Sequence, residues 1–482
     1  MPGLDELSHG GLWKSGIYLV LGSPGSGKSI LANQISFHHV RSGGRVVYVT
    51  LLAETHARML AQIQQMSFFD GSAVGSSIQY LNAFSAIESE GLPGLLEALR
   101  RAVREHRADL LVLDGMVTAS LISSSKLDHK KFVNELQTWI GVIGCTAIFL
   151  SSATLEGRTD PEHTMVDGLI ELRTVVPDMT AIRQLRIAKF RGSAFTEGYH
   201  HYLIGADGIR VYPRFEAHTV PGRSRQSDAG LVSVGIPRLD RILGGGLRGG
   251  SITLALGSSG AGKTTLGLQF LAAGASGGEP ALHFGFYENP DDIRQKGDRF
   301  GFDFSGLRKR GLLDIAWHSP AEGILDVLAG ELLDRVRKSS VRRLFVDGLV
   351  GFKESGYQER VPGFFSALSN ELASAGVTTL ITEETRELFI QEVEVPTPGV
   401  SAIFQNILFL RQVETGAELV RLVSVMKTRD TEHDRTLYGF DIRGDGIHIG
   451  EPFRSLDTAM TGAARARGAP TGKRAGRRRR KS

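Results

Sequence analysis

The sequence predicts an α/β protein of two tandem domains, each a mostly parallel sheet with helices on both faces. Three observations carry this expectation. The chain has 482 residues, it repeats itself at a constant offset, and in each copy an apolar strand runs into a glycine-rich loop followed by a helical stretch.

Length comes first. Domains usually hold roughly 100 to 200 residues, so a chain of this size divides into two or three. A hydrophobic share of 41% beside 22% charged residues is that of a chain that folds.

The repeat sets the number at two. The segment from Gly3, GLDELSHGGLWKSGIYLVLGSPGSGKS, matches the segment from Ile236, IPRLDRILGGGLRGGSITLALGSSGAGKT, at an offset of 235 residues. Leu4-Asp5 falls on Leu239-Asp240, Gly10-Gly11 on Gly245-Gly246 and Lys28 on Lys263. Both copies continue with an apolar strand ending in aspartate (LLVLDG, LFVDG), a further apolar strand (CTAIFLSS, VTTLITEE) and a late strand carrying a Lys-x-Arg triplet. A polar stretch rich in Gly, Ser and Pro separates them. The expected boundaries are a first domain over 1–215, a linker over 216–229, a second domain over 230–458 and a basic, disordered tail over 459–482.

Charge and cysteine content narrow the function classes. The net charge of +4 conceals nine lysines and arginines within the last eighteen residues, so the body is near −5 and the basic balance says nothing about a nucleic-acid surface on the folded part. The tail has no aromatic residue for base stacking; it suits non-specific contact with a polyanion, or a solubilising end. The single cysteine, Cys145, excludes an intrachain disulfide. No apolar run approaches the roughly 20 residues that cross a bilayer, and the start lacks signal-peptide character, so a cytoplasmic protein without membrane contact is expected.

The two loops carry the chemistry. Gly22-Ser23-Pro24-Gly25-Ser26-Gly27-Lys28-Ser29 and Gly257-Ser258-Ser259-Gly260-Ala261-Gly262-Lys263-Thr264, with Thr265 behind it, each sit between a strand and a helix, as a P-loop must. Glycines let successive backbone N–H groups curl around phosphate oxygens, and the helix offers its positive end to the same anion. Lys28 and Lys263 are expected to reach the β and γ phosphates, making ATP the expected ligand. Ser29 with Asp114, and Thr264 with Asp347, are expected to hold Mg²⁺ and its water shell.

Hydrolysis further needs a carboxylate beside the attacking water, at the end of the strand after the first helix. The second copy offers Glu288 there. In the first, Glu54 aligns with Asn289 and Ala53 with Glu288, so the second site is the better equipped. Either acid has an alternative role at a helix start, where it would balance the dipole. Lys189 with Arg191, and Lys427 with Arg429, each present two cations on one strand face, suited to a neighbouring subunit's phosphates or, alternatively, to guarding a sheet edge.

In these features the chain resembles the KaiC family of RecA-like ATPases over roughly residues 3 to 450, so the domains are expected to be two tandem RecA-like P-loop domains. The most specific elements are LDRILGGGLRGGSITLALGSSGAGKTT, the Lys-x-Arg-Gly of AKFRGS and VMKTRDTEHD before DIRGDGIHI. The resemblance implies a homohexamer with ATP bound between subunits and regulatory protein partners. Family members carry a glutamate pair after the second strand, where this chain keeps one acid per half. The family's clock members also phosphorylate themselves on adjacent Ser and Thr; here Ser401 stands at the matching place, with Ala402 for the threonine. The expected function is an ATP-hydrolysing oligomeric switch in signalling or regulation, with serine/threonine autokinase activity at Ser401. Two other classes fit the same motifs. One is a RecA-like ATPase of DNA repair, whose bacterial zinc-finger relatives need four cysteines; the other is a nucleotide-gated scaffold with little turnover.

Overall fold

A computed structural model of the chain describes residues 1, 3–51, 56–152, 161–176, 181–218, 230–319, 324–354, 358–385, 403–415, 418–429 and 432–453. The chain divides into two compact units, Met1–His218 and Thr219–Ser482.

The first unit holds strands β1 (Ile17–Gly22), β2 (Val46–Thr50), β3 (Ile78–Asn82), β4 (Leu110–Asp114), β5 (Thr146–Ser151), β6 (Gly168–Val175), β7 (Ile182–Phe190), β8 (His200–Gly205) and β9 (Gly208–Tyr212). They form one sheet in the order β3-β2-β4-β5-β1-β6-β7-β8-β9. From β3 to β6 every neighbour pair is parallel, and from β6 onward antiparallel.

Its helices are α1 (Leu4–Leu7), α2 (Lys28–Arg41), α3 (His56–Ile63), α4 (Phe84–His106), α5 (Met116–Ile122), α6 (Lys126–Ile143) and α7 (Pro161–Met165). Side chains alternate across a strand, so each strand feeds two cores. Leu19, Val49, Leu113 and Phe149 pack with Leu95 and Leu99 of α4 and Leu136 of α6. Tyr18, Val20, Tyr48 and Val112 pack instead with Leu4 and Leu7 of α1 and Leu31 and Phe37 of α2. Helices therefore cover both faces, and the central strands read as nearly unbroken apolar runs for that reason.

The second unit repeats the plan. After the small pair β10 (Leu231–Val232) and β11 (Leu247–Arg248) come β12 (Ile252–Gly257), β13 (Ala281–Gly285), β14 (Leu313–Trp317), β15 (Arg343–Asp347), β16 (Thr378–Glu384), β17 (Asn406–Thr415), β18 (Glu418–Lys427), β19 (Tyr438–Arg443) and β20 (Gly446–Pro452). The sheet order is β14-β13-β15-β16-β12-β17-β18-β19-β20, strand for strand that of the first. Helices α8 (Pro237–Ile242), α9 (Lys263–Ser276), α10 (Pro290–Arg299), α11 (Phe304–Lys309), α12 (Leu325–Lys338), α13 (Leu349–Glu354) and α14 (Val361–Ser374) flank it. Leu266 and Phe270 of α9 pack on Ala255, Phe345 and Leu408 from one side. On the other, Phe284 stacks on Phe352 of α13, which meets Phe364 of α14.

The chain thus folds as two RecA-like α/β domains in tandem. Among the described residues no helix is long and apolar enough to cross a membrane.

Candidate nucleotide sites

Each phosphate loop leaves the central strand of its sheet and enters a helix, β1 into α2 and β12 into α9. Gly27 and Gly262 close the loops at φ 94° and 97°, in the left-handed region that a Cβ disfavours. Gly257 is required for another reason. A Cβ there would stand 2.2 Å from the Leu410 carbonyl oxygen on β17, so a side chain would push the loop off its sheet.

The lysines are folded back onto their own loops. Lys28 donates to the Gly22 and Ser23 carbonyls at 2.6 and 3.0 Å; Lys263 donates to those of Gly257 and Ser258, both at 2.8 Å. Burial lowers the pKa of both ammonium groups, partly offset by Asp114 at the first and by Glu384 and then Asp347 at the second. A half-buried cation facing backbone oxygens gains from an anionic oxygen beside it. Each loop also buries a serine hydroxyl, Ser26 and Ser258, with no hydrogen-bond partner among the described residues. Orphaned donors at a helix N-terminus fit a phosphate.

The residues expected at Mg²⁺ are already joined. Ser29 donates to Asp114 at 2.9 Å and Thr264 to Asp347 at 3.1 Å. Thr382 also donates to Asp347, at 2.8 Å. Burial raises the Asp347 pKa against the opposing effect of these two hydroxyls. A buried carboxylate beside a hydroxyl is a donor set that suits a hard cation arriving with a nucleotide. Thr265 lies one residue further along α9, buried.

Glu288 directly precedes the Asn289 N-cap of α10, and its two oxygens accept from Lys296 at 2.7 and 2.6 Å. No local sequence pattern marks this ion pair, because its partner is eight residues away on the following helix. Glu54, Ser401 and the basic tail lie outside the described residues.

Lys189 and Arg191 flank the end of β7, where Phe190 pairs with Gly168 and Gly168 with Tyr18, near the start of β1. Lys427 likewise pairs with Ile407, beside Leu254 near the start of β12. Both cation pairs therefore occupy the end of the sheet opposite their own phosphate loop, which follows the last residue of β1 or β12. At about 3.3 Å per residue the intervening strand alone spans roughly 10 to 15 Å. Lys189 donates to the Thr164 carbonyl at 2.8 Å, as Arg191 does at 3.2 Å.

Other site residues were not foreseen. Tyr202 donates to the Ser26 carbonyl at 2.5 Å, and Gln412 to that of Gly260 at 2.9 Å, so strands late in each sheet brace both loops. In the second domain Lys353 and the buried Glu383 form an ion pair next to the Asp347 strand.

Comparison with known proteins finds the same repeat in both halves of the chain. The family model described as "ATPase: KaiC" matches residues 1–216 and, a second time, 232–454. The chain is 27% identical over 481 residues to "Circadian clock protein KaiC3" of Synechocystis sp., covering 96% of this chain and 93% of that one. It is 24% identical to "Circadian clock oscillator protein KaiC" of Picosynechococcus sp., covering 96% and 91%, and 26% identical to the protein of that name from Thermosynechococcus vestitus, covering 96% and 90%.

Proposed function

The chain belongs to the KaiC family of ATPases, and on that premise we propose that it works as an ATP-driven homohexameric switch in signalling or regulation. ATP sits on the phosphate loop of one protomer and is completed by Lys189 and Arg191, or Lys427 and Arg429, of the next. The observation that supports this reading is the position of both cation pairs at the sheet end remote from their own loop. A contact that joins one end of a subunit to the opposite end of its neighbour is head-to-tail, and such contacts form a ring where the rotation between neighbours closes, as a hexamer requires.

Within each site the loop amides, Lys28 or Lys263 bind the β and γ phosphates. Ser29 with Asp114, and Thr264 with Asp347, would hold Mg²⁺, which when bound neutralises charge on the phosphates. The cations of the neighbour stabilise charge as the γ-phosphoryl group transfers to water. Glu288 orients that water once Lys296 releases it; Glu54 is its counterpart at the first site. The first site favours ring assembly and the second carries faster turnover, including phosphoryl transfer to Ser401. The names of its relatives extend the proposal to timing, with regulatory proteins as partners. The tail adds a polyanion contact, and the working compartment is the cytoplasm.

The test follows both released phosphate and label on the protein during incubation with Mg·[γ-³²P]ATP, with oligomer size measured alongside. Lys28→Ala is expected to weaken assembly and Lys263→Ala to remove most phosphate release. Label absent from Ser401→Ala alone would establish the autokinase. The reverse pattern for the two lysines would sink the division of labour, and neither phosphate nor label would leave a nucleotide-gated scaffold.

A further inference from the structure

Glu384 ends β16, the strand lying between the one that leads into the second phosphate loop and the one that carries Asp347. It pairs in register with Gly257, the first residue of that loop. The Gly257 carbonyl oxygen accepts from the Lys263 ammonium at 2.8 Å and from the Thr385 amide at 3.1 Å. The backbone beside Glu384 and the phosphate-binding ammonium thus meet on one atom.

Alternation along the strand gives the direction of the side chain. Thr382 donates to Asp347, Glu383 turns to the opposite face to pair with Lys353, and Glu384 returns to the face of Thr382. Its side chain is exposed there. In the first domain Ile17 pairs with Ala147 as Ile252 pairs with Thr379, which puts Ser152 at the matching place. No carboxylate stands there, and Glu288, the acid expected beside the attacking water, is held by Lys296.

We propose that Glu384 is the residue of the second site that faces the γ-phosphate of ATP, setting its preference between ATP and ADP and accepting a proton from the attacking water. The inference rests on the reading that this site binds ATP. In the chemical step the water oxygen bonds to the γ-phosphorus as the bond from that phosphorus to the βγ-bridging oxygen breaks. The electron pair leaves with ADP, inorganic phosphate forms, and the water proton passes to the Glu384 carboxylate and on to solvent. The same negative charge opposes the γ-phosphate in the ground state, so the site binds ATP less tightly, relative to ADP, than a neutral side chain would allow.

The experiment compares full-length parent, Glu384→Gln and Glu384→Asp. Two-site binding isotherms with Mg·ATPγS and Mg·ADP are measured beside steady-state phosphate release, and the unaltered first site serves as internal reference. In Glu384→Gln the second site is expected to gain roughly threefold or more in ATPγS over ADP preference. Its kcat is expected to fall about 100-fold without a rise in KM. Glu384→Asp, which keeps the charge, should retain the parental preference. An unchanged preference in Glu384→Gln overturns the inference, whatever happens to turnover. Should the parent release no phosphate while the preference still shifts, the hydrolysis reading fails and the placement of Glu384 is supported.

Discussion

His283 and Tyr48 occupy the same position on matching strands, third in β13 and third in β2, yet they treat the neighbouring aspartate differently. Tyr48 donates to Asp114 at 3.2 Å. His283 is buried with its Nε2 4.0 Å from an Asp347 oxygen, and neither ring nitrogen has a hydrogen-bond partner among the described residues. Burial lowers its pKa to about 4, with Glu288 acting in the opposite direction. An unfolded histidine titrates near 6.5, so between about 6.5 and 4 the unfolded chain binds a proton that the fold does not. The contribution is fully present above that window and is lost as pH falls through it, by about 3 kcal/mol at most. The second domain should therefore lose stability between pH 6.5 and 4 more steeply in the parent than in His283→Tyr, which copies the first domain. Trp317, the second domain's sole tryptophan, reports its urea transition; equal slopes in the two proteins would refute the assignment.

Between elements, the corresponding contrast is the contact of α13 with β16. Lys353 and Glu383 pair there, where the matching positions of α5 and β5 hold Ser120 and Ser151, so both partners differ together. Removing one partner of a buried pair strands the other's charge, at a cost of about 3 to 5 kcal/mol, whereas replacing both with apolar groups is close to neutral. Lys353→Met should lower the urea midpoint of the second domain markedly, and Lys353→Met with Glu383→Leu should recover most of the loss. A double variant no better than the single one would mean the pair contributes more than mutual compensation. Elements of this kind also mark how far the sequence was legible. The loops, the strand-end aspartates and the sheet class could be read because each is a local pattern: glycines at fixed spacing, an apolar run closed by Asp, and a repeat that shows the pattern twice. The Lys296 clasp on Glu288, the Lys353–Glu383 pair and the approach of Glu384 to Lys263 depend on which strands and helices become neighbours. One sequence pattern is compatible with many such neighbours, and only the order β15-β16-β12 brings Glu384 beside the loop.

For the whole molecule, the proposed use of the two sheet ends makes a prediction about mixtures that no single variant can test. If each ATP at the second site needs its own Lys263 and the Arg429 of the next protomer, Lys263→Ala and Arg429→Ala are each inactive there for different reasons. In rings assembled from equal parts of the two, an interface works when an Arg429→Ala protomer supplies the loop and a Lys263→Ala protomer supplies the cation. Random order makes about a quarter of interfaces complete. Second-site phosphate release should then recover toward that fraction on mixing, after exchange of subunits, and should stay at the level of the separate variants when exchange is prevented. If Arg429 serves its own protomer, every subunit in the mixture carries a damaged site and no recovery follows. The same pairing of Lys28→Ala with Arg191→Ala asks the question of the first domain, with ring formation as the readout because that site is proposed to govern assembly. Recovery of turnover with Lys263→Ala and Arg429→Ala, and of assembly with Lys28→Ala and Arg191→Ala, would assign both tasks to contacts between protomers, which is how one sheet can bind a nucleotide at one end and complete another at the opposite end.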